Sequence, residues 1–288
     1  MDPIAKALTV VFLFATMLSI GLKAAPADLL SALRRRGLMV RSLVANFLII
    51  PVLGLVMVKA TAMSTDVAVG LLLLAAAPGG LNAIQFTSKT SSGLSYAAAL
   101  LFVLSFLSML LSPVIASLML PAGTPLTLPY GRIIAVLLLC VLLPLLAGLG
   151  VRRAWPRGAQ ALAKPMALCG TLAFVVVVVL LMAWRKQAMS QLKAAEVAAM
   201  LGFILASMVV GYLLGGPGKD TRTILATATS MRNAALGLVI AVNSFPGTNV
   251  DVAVIAFSAL MIPPNMLFTV YHLMRNRRKA RHRMPAGE

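Results

Sequence analysis

Runs of about 20 apolar residues recur along the whole chain, divided by short connections rich in lysine and arginine. A helix crossing roughly 30 Å of hydrocarbon needs about 20 such residues. Read from the N-terminus, the pattern predicts about nine spans: 5–22, 38–59, 67–88, 93–119, 130–151, 163–184, 194–214, 222–242 and 250–274. The sixth, centred on Val175 to Val179, is the most uniform; the third and eighth are the least. The connections are too short for a separate soluble domain, so residues 1–288 read as one membrane domain. No leader with a small-residue cleavage site is expected at the start.

Composition narrows the function. Of 288 residues, 60% are hydrophobic and 11% charged, with a mean hydropathy of +0.98. A soluble domain has about 45–50% and about 25% respectively. A soluble enzyme, a disordered regulator and a secreted disulfide scaffold are all excluded on that ground. The net charge of +18 would suggest nucleic acid in a soluble protein. Here the basic residues sit between apolar runs, where they set membrane orientation, so no nucleic-acid partner is expected.

Lys23, Arg34 to Arg36, Arg41, Lys89, Arg152, Arg153, Arg157, Lys164, Lys219, Arg222 and the tail from Arg275 to Arg283 all fall on one side. Lys6, Lys59, Arg132, Arg185, Lys186 and Lys193 fall on the other. The excess predicts an outside N-terminus and a cytoplasmic C-terminus in the inner (plasma) membrane. The basic tail also suits anionic lipid head groups. Cys140 and Cys169 offer neither metal spacing nor a disulfide framework, and both read as buried small apolar residues. His272 and His282 are assigned no catalytic role.

Two spans are interrupted. Pro78-Gly79-Gly80 lies in the middle of the third, followed by Asn82, Gln85, Thr87 and Ser88. Broken polar backbone is tolerated in a membrane only where it faces protein or a water-filled cavity. The eighth span carries Thr227, Thr229, Ser230, Met231, Arg232 and Asn233. Pairing spans one to four with six to nine puts an interruption in the third member of each quartet. The halves are then about 5–119 and 163–274, with 130–151 as linker. An odd offset of five spans makes the halves inverted repeats, the pattern of a secondary transporter with a midplane site.

At these positions the chain resembles the bile acid:sodium symporter family, in a nine-span variant. The likeness rests on Phe12 to Gly21, on Asn46 to Pro51, on Pro78-Gly79-Gly80 and on Met231-x-Asn233. It implies an all-α polytopic fold with a panel and a core domain, and two discontinuous helices crossing in the core. It also implies transport of organic anions, such as bile acids, pantoate-like acids and 2-oxo acids, usually with sodium. Several positions depart from that pattern. Ala228 stands where the family's sodium-binding glutamate is expected, and Arg232 where a glutamine is expected. Ala83-Ile84 replaces a Ser-Asn pair, and two hydroxyl ligands fall on Ala97 and Leu101. Asn46 is the remnant of that ligand set.

Chemistry points the same way. The acidic residues are Asp2, Asp28, Asp66, Glu196, Asp220, Asp251 and Glu288, none deep in a span. Arg232 carries a permanent charge in mid-span, where insertion costs at least about 2.5 kcal/mol, so it must face a cavity or a partner. Two roles are open to it. Its guanidinium either donates to backbone carbonyls of the broken helices in place of sodium, or forks onto a substrate carboxylate. Asn233, Ser230, Gly79, Gly80, Asn82 and Gln85 complete the candidate substrate site, with interhelical hydrogen bonding as their alternative role.

The expectation is a secondary transporter of small organic anions working by alternating access, with no cofactor, no catalysis and no required sodium. A channel or facilitator, a membrane sensor, and a symporter using neutral sodium ligands are the alternatives. The topology makes a direct prediction. Single cysteines at Arg35 and Arg278, in a background lacking Cys140 and Cys169, are labelled only from the cytoplasm, and one at Gly247 only from outside. Labelling of positions 35 and 278 from opposite faces would mean an odd number of spans between them, hence an even total, and would break the inverted repeat.

Overall fold

The computed structural model describes residues 3–23, 35–79, 91–120, 135 and 138–281. Among the described residues all regular structure is helical. The principal helices are α1 (Pro3–Lys23), α2 (Arg36–Ala60), α3 (Thr65–Ala75), α4 (Ser91–Met119), α5 (Leu143–Ala154) and α6 (Pro156–Trp184). They continue with α7 (Ala194–Leu214), α8 (Lys219–Ser230), α9 (Ala234–Ser244), α10 (Val250–Leu260) and α11 (Ile262–Arg281). Six stretches are long and apolar enough to cross a membrane: Arg36–Ala60, Ala99–Met119, Pro156–Trp184, Ala194–Leu214, Lys219–Ser244 and Val250–His272. Ala7–Lys23 and Thr65–Ala75 are shorter apolar helices. The chain is a multi-pass membrane protein. The second half of the third expected span and the start of the fifth lie outside the described residues.

Proline shapes the helices in two ways. Pro113 and Pro165 are carried inside α4 and α6. Pro51 and Pro144 instead each follow a wide π-helical turn, Ala45–Ile49 and Leu138–Leu142. A proline has no N–H for the ladder and clashes with the preceding turn, and an inserted residue is one way to absorb both. At Met261, just before Pro263-Pro264, α10 gives way to α11.

The helices pack in two groups. One consists of α1, α5 and α6, with α1 lying along both partners. Ser19 Oγ donates to Ala163 O at 3.0 Å, and the Phe12 and Phe174 rings meet at 4.9 Å. Gly21 and Gly148 let α1 and α5 touch backbone to backbone. A Cβ on Gly148 would sit 2.8 Å from Leu22 N and 2.9 Å from Gly21 Cα. Close approach through small residues is how helices associate without a hydrophobic driving force between them. In the other group, α7 lies along α8, and α3 is enclosed by α9 and α10. From Val69 to Ala75 every residue of α3 is buried. A helix apolar on every side belongs in the middle of such a bundle.

Large apolar side chains turn outward on the surrounding helices, among them Leu118 at 81% and Leu213 at 72% exposure. In lipid this surface costs nothing. Cys169 also lies on the outer face of α6 and Cys140 is half-buried, which corrects the expectation that both are enclosed. A thiol is apolar enough for either place.

Polar contacts gather where α3, α7 and α10 begin. The Glu196 carboxylate accepts the Ser64 and Lys193 amides at 2.8 and 2.9 Å, so it caps α7 and steadies the start of α3. Arg185, at the end of α6, donates to Asp251 Oδ1 and Thr248 O, both at 2.9 Å. The Asn249 amide donates to Asp66 Oδ2 at 3.0 Å. Arg185 thus ties the first group of helices to the second.

The glycine contact is testable. Gly148→Leu should force α1 and α5 apart and lower stability by about 1–3 kcal/mol. That corresponds to a fall in melting temperature of roughly 2–10 °C in detergent. An unchanged melting curve would show that the close approach contributes no packing energy.

Candidate functional site

The two interrupted spans meet at the centre of the second group. α8 stops at Ser230, three residues follow in non-helical conformation, and α9 starts at Ala234. α3 stops at Ala75 and the chain runs on through Ala77 and Pro78 to Gly79. The most apolar stretch of Lys219–Ser244 is wholly enclosed by protein, as irregular backbone at membrane depth requires. The Asn233 amide donates to Ala77 O at 2.8 Å, a main-chain bond between the two interruptions. Asn233 Oδ1 accepts the Leu236 amide at 3.1 Å and so caps α9.

Among the described residues Arg232 is the largest side chain with no exposure at all. Its Nε donates to Leu74 O at 2.8 Å. Nη1 donates to Asn46 Oδ1 at 2.9 Å, and Nη2 to Ala75 O and, at 3.4 Å, to Asn46 O. All four acceptors are neutral amide oxygens. Two of them belong to the last turn of α3, where unpaired carbonyls form the negative end of the helix dipole. Asn46 is itself positioned: Nδ2 donates to Ser42 O at 3.0 Å, which turns Oδ1 toward the guanidinium. Ser42 Oγ pairs with the Tyr96 hydroxyl at 3.1 Å. A polar chain therefore runs from α4 through α2 to the point where the two interruptions meet.

The other candidate residues take distinct places. Ser230 Oγ donates to Asn265 Oδ1 at 2.8 Å, joining α8 to α11. Gly79 has φ of +93°, and an added Cβ would sit 2.9 Å from Ser105 Oγ and 3.0 Å from Ser105 N. Ala228 is buried beside Ala97 and Leu100 in an apolar cluster. Gly80, Asn82 and Gln85 lie outside the described residues. Tyr96, Ser42, Ser105 and Asn265 support the site but were not singled out in the sequence. Their one signal is a buried polar side chain inside an apolar run, shared with many serines that only bond their own helix.

Gly79 meets both a backbone and a space restriction. Gly79→Ala should therefore destabilise by about 1–3 kcal/mol, and the additional change Ser105→Gly should not restore it, because the positive φ remains. Recovery of the melting temperature in the double variant would show that space alone matters.

Comparison with known proteins identifies the family. The profile described as the Sodium Bile acid symporter family matches residues 10–192. A curated relative, the "Uncharacterized sodium-dependent transporter YocS" of Bacillus subtilis (strain 168), is 23% identical over 278 residues. That alignment covers 91% of this chain and 78% of the relative. The family match takes in more than half of the chain, which belongs to the Sodium Bile acid symporter family and is a membrane transporter, not an enzyme.

Proposed function

We propose that this secondary transporter carries small organic anions, monocarboxylates with an apolar portion such as pantoate-like or 2-oxo acids, or bile-acid-like compounds. It does so by alternating access about the crossing, with sodium not required. On this reading the chain has about nine spans in two inverted halves. The α1, α5 and α6 group acts as panel, and the remaining helices act as the core that rocks against it.

One observation carries the anion assignment: a fully buried guanidinium lies at the crossing with no carboxylate among its partners in the described residues. The guanidinium brings one formal positive charge, and the N-terminal end of α9, capped by Asn233, adds its dipole at the same point. A carboxylate placed there is favoured by both. Because the Arg232 donors are engaged by protein oxygens, the guanidinium acts as a fixed charge beside the solute. Direct contacts then fall to Asn233, Ser230 and Gly79, and to Gly80, Asn82 and Gln85 next along the chain. Membership of a family named for bile acid supports an organic-anion solute; the curated relative, named a sodium-dependent transporter, supports transport but names sodium where this reading does not require it.

A counterflow panel in proteoliposomes tests the proposal. A carboxylic acid should exchange at least tenfold better than its neutral amide, since a charge-assisted hydrogen bond is worth about 1.5–3 kcal/mol. Equal exchange of acid and amide would remove the anion assignment.

A further inference from the structure

Two of the oxygens around Arg232 are open to it for a physical reason. In an α-helix the Leu74 carbonyl would accept the N–H of residue 78, but residue 78 is proline and has none. The Ala77 amide takes one lone pair of that carbonyl at 3.0 Å, and Arg232 Nε takes the other. At Asn46 the π-helical turn sends the Ile50 amide to Ala45 O. The next amide in line for Asn46 O would be that of residue 51, again a proline. Pro51 and Pro78, 27 positions apart and on different helices, thus each strip a donor from a carbonyl that the same guanidinium then bonds.

Such a group of oxygens is a cation site by its chemistry. It is acceptor-only, fully enclosed, and lies at the negative end of the α3 dipole. Left without a donor, amide oxygens shut away from water are strongly unfavourable. A sodium ion does not fit beside the cation already present. At about 4 Å from the guanidinium, repulsion at an effective dielectric of 20 would weaken its binding roughly a thousandfold.

We infer that the four amide oxygens of Asn46, Leu74 and Ala75 form a monovalent-cation site whose cation is built into the chain as Arg232, and which takes a free small cation once that side chain is removed. The occupant class is a compact monovalent cation with several donors or a bare charge. Guanidinium fits best, because its planar array of N–H groups matches the present bonds, and sodium fits less well. Arg232 is accordingly a positioning residue, holding α2, α3 and the α8–α9 junction together. The transport consequence, independence from sodium, rests on the function proposed above; the binding statement does not.

The experiment uses the full chain, purified in detergent, as wild type, Arg232→Ala, Arg232→Gln and Arg232→Lys. Thermal unfolding is followed in choline chloride, sodium chloride and choline chloride with millimolar guanidinium, at constant ionic strength. Wild type and Arg232→Lys should melt at the same temperature in all three. Arg232→Ala should melt lower in choline and gain about 3 °C or more in guanidinium, with a smaller gain in sodium. Recovery of folded Arg232→Ala only when guanidinium is present during purification supports the site equally.

Two results overturn it. One is that neither Arg232→Ala nor Arg232→Gln responds to cations more than wild type, including failure to recover either in any cation. The other is stabilisation of the wild type by sodium over choline. Counterflow with the same proteins separates the two readings. Uptake by no protein, wild type included, with the guanidinium response intact, would remove the transport proposal and leave the cation site standing.

Discussion

A fully buried charge with no carboxylate partner among the described residues holds the centre of this protein. The Arg232 guanidinium is bonded to amide oxygens from two other helices, and no carboxylate takes part. Breaking a helix inside a membrane leaves carbonyls that lipid cannot satisfy, and an arginine at that depth has donors with the same difficulty. Each is the remedy for the other. The bonds also span the chain, joining positions 158 and 186 residues apart in sequence. Asn46, Ser42 and Tyr96 then extend the constraint outward, so the geometry of the crossing depends on that one side chain having its acceptors in place.

The placement of the cage matters for motion. Asn46, Leu74, Ala75 and Arg232 all belong to the second group of helices, so the cage stays intact if that group moves against α1, α5 and α6. The tie between the groups is of another kind. Arg185 is 37% exposed and pairs with Asp251 at the end of two helices, where such a pair contributes about 0–1 kcal/mol. Water replaces it at little cost. The polar tie between the groups is therefore weak, and the rest of their contact is apolar, one buried cluster running from Phe12, Met17 and Val177 to Leu71 and Phe257.

Much of this was legible in the sequence, and the illegible part has a common cause. Pro78-Gly79 marked a break because proline and glycine act locally, and Gly79 does adopt the positive φ that only glycine takes readily. Arg232 in an apolar run had to find partners for the same kind of reason. Pro51, by contrast, entered the sequence reading only as the end of the Asn46 to Pro51 stretch. Its effect runs through a π-helical turn, and the carbonyl it helps to free matters only because Arg232 arrives from 186 positions away. The two roles open to Arg232 could not be weighed without knowing which oxygens surround it. Glu196 likewise read as an ordinary terminal acid, since its acceptance of the Ser64 amide is set by how α3 and α7 lie together. Cys169 misled because an apolar helix gives no hint of which side meets lipid and which meets protein.

The proposed function and the tethered cation together bear on direction. A carrier whose cation never leaves moves one net negative charge with each monocarboxylate. Among the described residues the acids Asp66, Glu196, Asp220 and Asp251 all lie in the first turns of helices. No buried acid at the crossing is therefore placed to relay protons in compensation. Moving one charge across 100 mV is worth about 2.3 kcal/mol, roughly fiftyfold in the distribution of the solute. In a cell that is negative inside, that bias runs outward. A sodium-coupled relative can reverse it by bringing positive charge in with the solute; a fixed guanidinium cannot. Under the proposed function, with a monocarboxylate carried and no sodium taken up, the membrane potential would favour efflux or anion exchange over accumulation.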